Sequence, residues 1–115
     1  VAKTVTSTQT VTLSGDGWGG SPLFNESIQN ISGNPPSSWQ LSTGFNQFPV
    51  PATALGVVIV PPTGNAVSLT LKGANPDTGT PIAPASSHRI TWTAGQVSLL
   101  GMAVGSNVTL YLIWL

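Results

Sequence analysis

His88 and the two serines before it, Ser86 and Ser87, are the residues closest to a nucleophilic site in this chain. A serine nucleophile needs a histidine base and an orienting acid, all converging in space. Adjacent residues on an extended strand point to opposite faces, and a loop separates Asp77 from His88. His88 therefore reads as a surface histidine, and no catalytic residue is expected. The acids Asp16, Glu26 and Asp77 are isolated along the chain, whereas a calcium loop needs several closely spaced oxygen donors. There is no cysteine, so neither disulfides nor thiolate metal sites can form. No metal or other cofactor is expected. Asn25-Glu26-Ser27, Asn30-Ile31-Ser32 and Asn107-Val108-Thr109 fit the glycosylation acceptor pattern, which a chain rich in these residues reaches by chance.

Two tryptophans offer a different chemistry. Trp18 lies in the glycine-rich run Gly15-Asp16-Gly17-Trp18-Gly19-Gly20, and Trp39 lies between Ser38 and Gln40. Exposed indoles stack on sugar rings while Asn and Gln bond hydroxyls. Buried ones would plug the open ends of a β fold, and both readings stand at this point.

The composition sets the background. Six of the 115 residues are charged, with zero formal net charge, while Thr, Ser, Asn and Gln together supply 39. No basic patch is available for a phosphate backbone, which argues against nucleic-acid binding. No window reaches the roughly 18 to 20 apolar residues of a membrane-spanning helix, and residues 1–13 do not read as a secretory signal. Hydrophobic residues at 40% suffice for a packed core. The length fits a single domain covering residues 1–115.

No stretch carries helical periodicity long enough to predict a helix. Thr occupies every even position from Thr4 to Thr12, so residues 1–13 read as an edge strand or an extended arm. Residues 14–53 are loop-rich, with Asn34-Pro35-Pro36 and Phe48-Pro49-Val50-Pro51 barred from the middle of a sheet and short strands near 38–41 and 44–48. Beyond them, residues 54–60, 66–72, 88–92, 96–104 and 108–115 read as strands, with 73–84 a long loop. Six to eight short strands at this spacing predict an all-β fold, a single antiparallel β-sandwich that is jelly-roll-like or immunoglobulin-like.

Three segments suggest contacts with other chains. In the arm, Val1, Lys3 and Val5 would accompany main-chain pairing to a neighbour's sheet; the alternative is that the arm is the sandwich's own first strand. Phe45, Phe48 and Val50 of the proline-rich segment would anchor a contact or fill the core. The last strand, with Tyr111, Ile113 and Trp114, shows no polar face. It is covered on both sides within the domain or partly buried against another subunit.

The second half of the chain has an apolar strand, the turn Pro61-Pro62-Thr63-Gly64-Asn65 and an alternating strand ending at Gly73. The loop Thr78-Gly79-Thr80-Pro81-Ile82-Ala83-Pro84 and two closing strands around Leu100-Gly101-Met102-Ala103-Val104-Gly105-Ser106 follow. Over residues 54–115 this order resembles the small β-sandwich structural proteins of tailed bacteriophage virions, some of them head decoration or cement proteins, others on tails or fibres. The resemblance implies a non-enzymatic virion protein on the capsid exterior, partnered by the major capsid protein and by itself as a homotrimer. The alternative it implies is a tail-fibre module that binds host glycans through Trp18 and Trp39. A neutral, hydroxyl-rich surface fits an assembled protein, because its contacts do not weaken when salt screens charge.

Overall fold

A computed structural model describes residues 5–12, 22–30 and 34–115 of the chain. Ten strands follow in order: β1 (Val5–Thr12), β2 (Pro22–Asn30), β3 (Ser37–Leu41), β4 (Gly44–Pro49), β5 (Gly56–Val60), β6 (Leu69–Lys72), β7 (Thr80–Ile82), β8 (His88–Thr91), β9 (Leu99–Val104) and β10 (Val108–Trp114). No helix occurs among the described residues.

Eight strands make two antiparallel four-stranded sheets, β3-β10-β5-β8 and β4-β9-β6-β7, packed as a β-sandwich. The pairings nest: β3 with β10, β4 with β9, β5 with β8 and β6 with β7. A long antiparallel hairpin rolled up so that its strands alternate between layers produces this order, closed by the additional pairs β10·β5 and β6·β9. This is jelly-roll connectivity, not the immunoglobulin order.

The two interior faces follow the period of two along each strand. Trp39 and Leu41 of β3, Val57 and Ile59 of β5, and Leu110, Leu112 and Trp114 of β10 meet Leu69, Leu100, Met102 and Val104 of the facing sheet, all buried. No polar or charged side chain is buried among the described residues. Phe48 extends this core: its ring centroid lies 5.6 Å from that of Trp39 and 6.1 Å from that of Trp114. The Trp114 indole N–H donates to Ser37 Oγ at 3.0 Å, and the Trp92 indole N–H donates to the Ala54 carbonyl at 2.9 Å. Trp114 is thereby buried, and Trp92 half-buried, without stranding a donor.

Prolines sit where the ladder tolerates them. Pro49 lies in β4 and Pro81 in β7, the two outer strands of one sheet. Gly101 of β9 meets a different constraint. A Cβ there would lie 2.3 Å from the Lys72 carbonyl oxygen and 3.0 Å from the Phe45 ring. The outer face of the sheet closes over this glycine, with the Phe45 ring filling the space a side chain would take.

The structure departs from the sequence reading in two places within the loop-rich stretches. Residues 22–30 form β2, whose Asn, Gln and Glu content hides it from a search for apolar alternation. Its partner supplies the order: β1 pairs with it from Val5↔Asn30 to Thr12↔Pro22, with a register shift between Val11 and Thr12. Residues 80–82 form β7 inside the expected loop, a three-residue strand held by β6.

Candidate functional site

The ribbon of β1 and β2 is a sheet of its own, paired with no strand of the sandwich. Thr8 Oγ1 donates to Ser27 Oγ across it at 3.3 Å. Ser7, Thr8 and Gln9 line a cleft of about 420 Å³ against the flank of the sandwich. Half-buried Leu71, Ile82 and Ile90 also line it, at the open side where β7 and β8 end their sheets. Asn34 Nδ2 donates to Thr53 Oγ1 at 3.1 Å, tying the approach to β3 to the β4–β5 connection.

Of the arm residues singled out above, Val5 opens β1 in register with Asn30. Val1, Lys3 and Trp18 lie outside the described residues. The proline-rich segment divides by parity. Phe48 and Val50 pack against the core, whereas Phe45, paired with Ala103, faces outward over Gly101. The last strand does have two distinct faces. Leu110, Leu112 and Trp114 are inside, Ile113 is half-buried and Tyr111 is 54% exposed on the outer face. Trp114 is 1% exposed, so its ring serves the core and not a contact with another subunit. Trp39, at 4% exposed, likewise has no face free to stack on a sugar. Burial of the aromatic rings is the physical reason for both corrections.

No hydrogen bond joins the residues considered for catalysis. His88 Nε2 lies 2.7 Å from the Ala83 carbonyl oxygen, Ser86 and Ser87 are exposed, and Asp77 Oδ2 accepts the Ala74 backbone N–H at 2.7 Å. His88 pairs with Ile59 and is half-buried. Among the described residues no three His, Cys, Asp or Glu side chains gather as metal ligands.

A second cleft lies at one end of the sandwich. The jelly roll brings four connections to that end: residues 42–43, 61–68, 83–87 and 105–107. Beside three of them, 42–43, 61–68 and 105–107, opens a cleft of about 690 Å³, lined in part by Gln40, Ser42, Pro62, Asn65, Asn107 and Thr109. Each rim segment is pinned by an asparagine. Asn46 accepts the Ser42 N–H at 3.1 Å and donates to the Ser42 and Gly44 carbonyls at 2.8 and 3.0 Å. Asn65 accepts the Val67 N–H at 3.1 Å and donates to the carbonyls of Val67 at 3.2 Å and Pro84 at 2.8 Å. Asn107 Oδ1 accepts the Thr43 N–H at 3.1 Å. The sequence reading passed over this cleft, because its walls come from three connections far apart in the chain and from the ends of β3 and β10 beside them. The available signal was an asparagine in or beside three of those connections, the residue type that ties turns to their own backbone.

No family model, curated protein or solved structure matches this chain.

Proposed function

We propose that this protein is a non-enzymatic structural protein of a bacteriophage virion, a capsid decoration protein. It binds the capsid exterior, bridges copies of the major capsid protein and stabilises the head. The observation that carries this reading is the β1–β2 ribbon. The sandwich is closed without it, yet eight residues of β1 are committed to a two-stranded sheet of their own. A lone two-stranded ribbon is marginal in water and gains stability by packing on, or pairing with, something else. Its main-chain edges suit addition to a neighbour's sheet. Jelly-roll connectivity supports the reading by fold-level analogy with viral shell domains. Outward-facing Phe45 and Tyr111 add apolar contact area on the two opposite sheet faces. The homotrimer rests on the resemblance to phage head proteins alone.

The test is electron cryo-microscopy of phage heads stripped of outer proteins and incubated with the purified chain. Density for the jelly roll on the shell, with the ribbon against a neighbour, is expected. Copies on tail fibres, or no copies at all, overturn the proposal. Sedimentation of the free protein tests the trimer, and a monomer throughout the micromolar range refutes it.

A further inference from the structure

We propose that the cleft at the loop end of the sandwich is a binding site for a neutral saccharide. At about 690 Å³ it lies within the roughly 300 to 1,000 Å³ of small-ligand sites. Its chemistry is selective. None of the nine lining residues is ionisable, so an anionic ligand would find no counter-charge. Nor do the walls suit an acyl chain, since polar side chains alternate with apolar ones. Among the described residues, the side chains of Gln40, Ser42 and Thr109 are engaged by no other protein group and remain available to hydroxyls. Pro62, Val67 and Val108 provide apolar surface for the C–H face of a sugar ring.

The cleft is also preorganised. Asn46, Asn65 and Asn107 spend their amides on backbone groups of the rim. Binding therefore does not have to order these connections, which is where much affinity is otherwise lost. The chain enters β3 and leaves β10 at the other end of the sandwich, where Leu115 exchanges backbone hydrogen bonds with Leu55 and Gly56. The glycan reading taken from Trp18 and Trp39 invoked aromatic stacking; this site uses amide and hydroxyl groups at different positions.

The experiment is an amide chemical-shift titration of the full chain with neutral glucan, galactan and N-acetylglucosamine oligosaccharides. An oligouronate serves as the charged control. Shifts confined to residues 40–42, 62–67 and 107–109 are expected for at least one neutral oligosaccharide. Gln40→Ala and Thr109→Ala should each weaken it by about threefold to tenfold, the loss of one hydrogen bond, without lowering the melting temperature. Thr93→Ala, at the other end, should leave binding unchanged. Absence of shifts up to about 10 mM, shifts centred elsewhere, tighter binding of the oligouronate, or unaltered affinity in both cleft variants overturns the proposal. The titration needs no virus particle, so its result is separate from that of the shell-binding experiment.

Discussion

Gly101→Ala tests how tightly the outer face of the β4-β9-β6-β7 sheet is closed. Gly101 pairs with Gln47 of β4 and Lys72 of β6, and it is buried. A methyl group there would lie 2.3 Å from the Lys72 carbonyl oxygen and 3.0 and 3.1 Å from two atoms of the Phe45 ring. The ring can rotate away, but the carbonyl belongs to the paired strand, so relief requires β6 to shift from β9. Overpacking of this kind costs about 3 kcal/mol at its upper range. Replacing glycine by alanine returns up to about 1 kcal/mol by restricting the unfolded chain. The net loss is therefore about 2 kcal/mol. At about 2.1 cal/mol/K per residue, a chain of this size melts about 4 °C lower for each kcal/mol, so a fall of about 8 °C is expected. Calorimetry or circular dichroism on wild type, Gly101→Ala, Phe45→Ala and the double variant forms a double-mutant cycle. If the carbonyl is the obstacle, Phe45→Ala rescues less than about 1 kcal/mol of the glycine variant's loss. A Gly101→Ala melting point within about 2 °C of wild type refutes the reasoning. Complete rescue by Phe45→Ala would place the strain in the ring instead.

Further expectations follow from the same geometry. Phe48→Ala should cost about 3 kcal/mol in denaturant unfolding and alter the near-ultraviolet tryptophan signal, because its ring lies against Trp39 and Trp114. Asn65→Ala should destabilise by about 2 to 3 kcal/mol, since it strands the Val67 N–H and two carbonyls. Asn65→Asp should be no better by thermal melting, because a carboxylate would face the Val67 and Pro84 carbonyls that the amide now donates to. Tyr111→Thr should change the melting temperature by less than about 2 °C, as the ring is exposed on a strand, while lowering any shell binding measured by co-sedimentation. Shell binding should change little between about 0.1 and 1 M salt, because contacts made by an uncharged surface are not screened.

The β class was legible in the sequence because strand propensity and turn chemistry are local. Thr at alternate positions through Thr12 marks β1, and the Pro61-Pro62-Thr63-Gly64-Asn65 run marks the turn after β5. The alternation around Leu69 and Leu71 marks β6 and its inward face. β2 was not legible, since nothing in Asn25-Glu26-Ser27 favours a strand until β1 lies beside it. The same limit applied to the aromatic residues. Trp39 between two polar neighbours, or Trp114 in an all-apolar run, has no local feature to say whether its ring faces a core or a partner.

What the sequence alone determined is the chemical character of the protein: neutral, hydroxyl-rich, without thiols, and built from short extended segments. Those properties belong to residues one at a time and survive any arrangement of them. Tertiary structure decided which strands pair, and hence the choice of a jelly roll over an immunoglobulin order. It also decided which face of β10 is solvent and that three distant connections meet around one cleft. Pairing and convergence are long-range outcomes of closing two sheets over a single core, so no local pattern carries them.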